Sequence, residues 1–243
     1  MLRCLLLTAS LAVLAALPAV AQGLPWQDRD RAREPVRSLS RPVEAAISHE
    51  KTGTGFFVDD AGTMLTVRHA VDACVRVVVA KEGRAVSARV VALSDRADLA
   101  LIKVPRTWGL AAVFPSNATP AVNDMVFVGA YDRLPGLIAR GGTLANATVA
   151  VAADSAGQLA LDSDATFGAS GAPVLDGRGL VEGVISRRTS ATRVVAVGAM
   201  EAKAFMADHG VRFAHDDRPQ LAGGASRANR AASISARVTC LQN

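Results

Sequence analysis

Through the middle of the chain, apolar and polar residues alternate in short runs separated by turn formers, the pattern of half-buried strands rather than of helices. Gly55-Phe56-Phe57-Val58 predicts a strand with a turn at Asp59-Asp60-Ala61-Gly62, and Met64 to Val67 predicts the next. Val75 to Ala80, Ala85 to Leu93 and Asp98 to Val104 follow at the even spacing of an antiparallel barrel. Trp108 to Val122, which contains Pro115 and Pro120, reads as a connecting segment. A second set of strands is predicted at Met125–Tyr131, Gly142–Ala152, Leu159–Asp162, Pro173–Leu175, Leu180–Ser186 and Arg193–Gly198. Met200 to His209 carries a helical pattern with Gly210 as its stop. The expected fold is all-β: two antiparallel barrels of about six strands each, then a helix.

The two ends read differently. Met1-Leu2-Arg3, an apolar run from Cys4 to Leu17 and the A-x-A pattern Ala19-Val20-Ala21 predict a signal peptide over residues 1–21. The apolar run is shorter than the roughly 20 residues of a membrane span, so an exported, periplasmic or secreted chain without a stable membrane anchor is expected. Residues 22–48 form an expected arm, since Gln22 to Pro42 holds five arginines, three acids and three prolines without apolar periodicity. Residues 49–213 make the expected folded domain. Residues 214–243, rich in Ala, Ser and Arg with two glycines, are expected to be a loosely held tail.

Composition narrows the function classes. Half of the 243 residues are hydrophobic and a fifth are charged, enough to bury a core and too apolar for disorder. The ten aromatics leave most packing to Val, Ala and Leu. A net charge of +5, spread along the chain without interleaved aromatics, argues against a nucleic-acid partner. No Cys or His spacing suggests a metal, and no cofactor motif is present. After removal of residues 1–21, Cys74 and Cys240 remain in a compartment that permits a disulfide. They either pair or leave Cys74 as a buried free thiol.

Three segments carry candidate chemistry. Thr66-Val67-Arg68-His69-Ala70-Val71 sets a histidine just past a strand. Ala97-Asp98-Leu99-Ala100-Leu101-Ile102 sets an aspartate at the mouth of an apolar strand. Gly168-Ala169-Ser170-Gly171-Ala172-Pro173 sets a serine in a glycine-flanked turn. A serine hydroxyl needs a neutral imidazole to take its proton, and the imidazole needs a carboxylate to hold its tautomer. Backbone N–H groups at Gly168 and Ser170 are the candidate oxyanion donors. Asp98 is preferred over Asp95 because it opens the strand directly.

With these motifs in this order, the sequence resembles the chymotrypsin-fold, trypsin-like serine endopeptidases. It is most similar to the bacterial HtrA/Deg-like and glutamyl-endopeptidase-like branches. The family patterns T-x-A-H-x-V, D-x-A-[LV]-[LI] and G-N-S-G-[GS]-P correspond to Thr66–Val71, Asp98–Ile102 and Gly168–Pro173. The resemblance runs from about Thr52 to Asp208 and implies hydrolysis of protein or peptide substrates through an acyl-enzyme, with His69, Asp98 and Ser170 as the triad. It also implies a substrate-binding strand at Gly183-Val184-Ile185-Ser186, and Asp164 occupies the offset of a specificity acid. Glutamyl endopeptidases have a histidine where Ile185 stands. Arg187 and Arg188 fall at the expected pocket rim, where they either attract acidic side chains or block entry. The residues after His209 are too few for a PDZ-like module.

The departures are Arg68 before the histidine, Ala169 before the serine and Ala172 after it. Ala169 removes the acid that a new N-terminus pairs with in digestive zymogens. Arg68 and Ala172 favour the alternative of a catalytically inactive, protease-fold binding protein.

Overall fold

A computed structural model describes residues 49–117, 120–141, 147–154, 157–165, 167–221 and 225–243. The expected signal peptide and arm lie outside the described residues.

The first barrel is closed and has six strands. Five come from the first half of the chain: β1 (Glu50–Phe57), β2 (Thr63–Thr66), β3 (Arg76–Lys81), β4 (Arg84–Leu93) and β5 (Ala100–Lys103). The sixth comes from the other end of the sequence. Residues expected as a tail form helix α4 (Arg227–Ile234) and strand β14 (Ser235–Leu241), so the folded domain does not end at residue 213. β14 pairs antiparallel with both β1 and β3, and the barrel closes in the order β1-β14-β3-β4-β5-β2.

The physical reason lies in the alternation of β14. Ala236, Val238 and Cys240 are fully buried, whereas Arg237 is exposed. In α4, Ala228, Ala231 and Ile234 recur every three residues and face the core, with Ser226 capping the Asn229 N–H at 3.2 Å. Small alanines make this stripe look like a featureless Ala-Ser-Arg run in sequence. Lys81, 3 % exposed, donates its ammonium to the Ala232 carbonyl and, at 2.9 Å, to that of Ser235, which pins the α4–β14 junction. A disulfide joins Cys74 to Cys240 across a Cα–Cα distance of 5.3 Å.

The second sheet runs β10-β11-β12-β9-β8-β7. Its members are β7 (Met125–Val126), β8 (Ala147–Val151), β9 (Gln158–Ser163), β10 (Pro173–Leu175), β11 (Val181–Arg188) and β12 (Arg193–Gly198). Phe127 and Leu175 exchange backbone hydrogen bonds at 2.8 and 2.9 Å, which curls the sheet back on itself into the second barrel. The connecting segment contributes β6 (Val113–Phe114), paired in parallel with β13 (Ala214–His215). The expected helix is α3 (Ala199–Asp208), and short helices α1 (Arg68–Val71) and α2 (Leu134–Ala139) were not legible in the pattern.

Aromatics concentrate in the first core, where Phe56, Phe57 and Phe114 are fully buried. The second barrel is filled by small aliphatics such as Val128, Val149, Leu159, Leu161 and Val174. Ala169 and Ala172, beside Ser170, belong to that second core. A carboxylate at position 169 would be desolvated there, so alanine suits the position.

Candidate active site

His69 sits on α1, the single turn that β2 enters through Val67. Its backbone N–H donates to Asp98 Oδ1 at 3.0 Å, and its ring Nδ1 lies 2.7 Å from Asp98 Oδ2. This double contact orients the imidazole and leaves its other nitrogen for a reacting group. Asp95 is engaged elsewhere: its side chain is 92 % exposed and receives Arg68 Nη1 at 2.8 Å. Arg68 also bonds the Ser94 carbonyl at 2.8 Å and Asp72 at 3.3 Å, so it braces the loop that delivers Asp98.

Ser186 was expected to bind substrate. Instead its hydroxyl, almost fully buried on β11, donates to Asp98 Oδ2 at 2.6 Å. Burial by itself would raise the Asp98 pKa. Hydrogen bonds from the His69 ring, the Ser186 hydroxyl and the His69 backbone N–H outweigh it and bring the carboxyl down to about 2. Asp98 is therefore an anion across the neutral range.

Ser170 and His69 line one cleft of about 460 Å³. Its walls include Ala165, Phe167, Gly168, Ile185 and Val194 from the second barrel and Lys51 and Thr52 from β1. Arg187 and Arg188 stand at its β11 side. Asp164 is exposed and lies outside this lining, because the neighbouring Ala165 takes the inward position. Gly183 is also outside it. A Cβ there would lie 2.7 Å from the Val197 carbonyl oxygen, so glycine permits close packing of β11 on β12. Of the expected substrate-binding residues, Arg188 alone lines the cleft.

Thr54 is the residue that sequence reading missed. It is fully buried on β1, and each of its polar groups is engaged at the site. Its backbone N–H donates to the Ser170 carbonyl at 2.8 Å, and its hydroxyl donates to the Gly168 carbonyl at 2.8 Å. The hydroxyl also accepts the Tyr131 N–H at 3.0 Å, and the Thr54 carbonyl accepts the Thr66 hydroxyl at 2.8 Å. Gly171, at φ +84°, has no room for a side chain, since a Cβ would strike the Thr54 carbonyl and the Thr66 hydroxyl. A Cβ on Gly53 would lie 2.9 Å from the Ser170 carbonyl oxygen. The signal was the Gly53-Thr54-Gly55 run: glycines inside a strand mark a close backbone approach.

Comparison with known proteins follows the same lines. The family model described as "Trypsin-like peptidase domain" matches residues 53–184, more than half of the chain. The chain is 29% identical over 216 residues to the uncharacterized protein y4bJ of Sinorhizobium fredii. That match covers 82% of the chain but only 33% of the relative, so the chain spans about a third of the relative's length. Among solved structures, a serine endoprotease from Yersinia pestis has a TM-score of 0.55 at 22% identity. The match covers 65% of this chain and 57% of that one, and at this identity it speaks to the fold alone.

Proposed function

Since the chain belongs to the trypsin-like peptidase domain family, we propose that it is an exported serine endopeptidase that cleaves peptide bonds through an acyl-enzyme. The observation that carries this reading is the His69 ring held by Asp98 at 2.7 Å in the same cleft that Ser170 lines. In the proposed reaction, Ser170 Oγ attacks the scissile carbonyl as His69 accepts its proton. The imidazolium then returns that proton to the departing amine, and water enters by the same route to release the acyl group. Asp98 stays ionised throughout and keeps the ring oriented through Nδ1. The backbone N–H groups of Gly168 and Ser170 would receive the developing oxyanion, in a loop whose path Thr54 sets.

Substrate backbone has a docking edge. β11 pairs with β10 only as far as Val184, and Ile185 exchanges hydrogen bonds with Gly171 and Ala172. Beyond it, Arg187 and Arg188 pair with Val195 and Val194 on the opposite side alone among the described strands. An extended peptide can add to that free edge. Export is supported by the Cys74–Cys240 disulfide, a bond that persists in oxidising compartments.

The test is labelling with a serine-reactive organophosphonate, alongside hydrolysis of an unfolded protein such as casein. The wild type should label and cleave, and Ser170→Ala should do neither while keeping its thermal transition. A folded wild type that neither labels nor cleaves would identify an inactive binding protein instead.

A further inference from the structure

The cleft lies between two open strand edges, and each edge brings positive charge. On the β11 side stand Arg187 and Arg188. On the other side β1 pairs with β2 only at Phe56 and Phe57, which leaves the Lys51–Gly53 edge facing the nucleophile loop, with Lys51 in the cleft wall. Among the described residues, no carboxylate lines the cleft. Among the described residues, none of the three cations forms an ion pair with an acid. Arg188 donates to the neutral carbonyls of Ser190, at 2.7 Å, and Ala191, which position the guanidinium without cancelling its charge. The nearby acids are engaged elsewhere or point outward: Asp98 is held by His69 and Ser186, Asp162 is paired with Arg193 at 2.8 Å, and Asp164 is exposed outside the lining. Between the charged edges, Ala165, Ile185 and Val194 form an aliphatic floor.

We infer that this cleft selects peptide segments carrying carboxylate side chains on both sides of the bond presented to Ser170. The inference rests on the protease reading for what happens after binding, but the selection itself is a property of the cleft. A basic peptide would meet uncompensated cations at both edges. A peptide with Glu or Asp flanking a small aliphatic residue would find partners at both edges and a matching surface between them. Because the cations are solvent-exposed, each carboxylate contributes a modest factor, about two- to fivefold. The effect should also weaken as salt shortens the Debye length from about 30 Å at 0.01 M to about 3 Å at 1 M.

Binding by the Ser170→Ala protein separates this inference from catalysis. Fluorescently tagged peptides of one backbone, carrying Glu, Gln or Lys on both sides of a central Val-Ala pair, are titrated by polarisation at 20 mM and 500 mM NaCl. The Glu peptide should bind about tenfold more tightly than the Gln peptide at low salt, and less than twofold at high salt. Arg187→Gln with Arg188→Gln should cut the difference to about threefold, the share left to the Lys51 edge. Arg84→Gln with Arg89→Gln, an equal loss of charge on β4 outside the cleft, should leave most of it. Equal affinities of the Glu and Gln peptides, tighter binding of the Lys peptide, or an equal response to both double variants would overturn the inference. The same peptides given to the wild type report cleavage separately. Preferential binding without turnover would refute the protease reading and leave the selection standing.

Discussion

Replacing Thr54 by valine exchanges one hydroxyl for a methyl of nearly the same volume, so packing against the fully buried position is retained. Two hydrogen bonds are lost: the one to the Gly168 carbonyl at 2.8 Å and the one from the Tyr131 N–H at 3.0 Å. Each leaves a partly buried backbone group without that partner, at about 1–3 kcal/mol apiece. With some water access to Gly168 and Tyr131, a total near ~3 kcal/mol follows. Catalysis should suffer more specifically. The hydroxyl fixes the Gly168–Ala169 peptide, which lies between the two candidate oxyanion donors. If that peptide turns, one donor is lost, a loss worth about 10²–10³ in kcat. Steady-state kinetics on a quenched peptide should therefore show a fall in kcat with KM nearly unchanged, and an unaltered pH profile because the His69–Asp98 pair is untouched. Thr54→Ser should restore most of the rate. A Thr54→Val protein that loses stability yet keeps wild-type kcat would refute the reasoning, because the hydroxyl would then be a packing device only.

Asp98→Asn removes the anion that accepts from both the His69 ring and Ser186; kcat should fall about 10⁴-fold, whereas Asp95→Asn should stay within a few-fold, as paired rate measurements would show. Glu182 on β11 is 3 % exposed, its Oε2 has no hydrogen-bond partner among the described residues, and burial, reinforced by Asp176, raises its pKa to about 7. Its folded pKa lies above the unfolded value, so the folded state holds the extra proton and stability falls as pH rises from about 4.5 through 7, by up to ~3 kcal/mol. Glu182→Gln should flatten that slope in urea unfolding between pH 5 and 8.5, and an unchanged slope would assign the pH dependence to other groups. Cys240→Ser opens a link across a sequence separation of 166 residues and should lower stability by about 2–5 kcal/mol, read as an earlier urea midpoint that matches the reduced wild type.

The local pattern of the sequence determined the strand-rich fold class, the position of most strands and the three segments that bear His69, Asp98 and Ser170. Those features are short-range: alternation dictates which face of a strand is buried, and a glycine-flanked serine announces its own turn. Tertiary structure alone decided where those segments meet and what supports them. The order of residues already favoured Asp98 over Asp95, but the contacts that separate the two acids, His69 with Asp98 and Arg68 with Asp95, span 29 and 27 residues and are tertiary. Ser186 and Thr54 act through partners 88 and 114 residues away, at Asp98 and Gly168, a separation that no local pattern encodes. β14 carries a readable alternation, yet its place between β1 and β3 follows from an unfilled barrel edge at the opposite end of the chain. A strand's own residues specify its buried face, whereas its neighbours are set by whichever open edge the rest of the fold leaves for it.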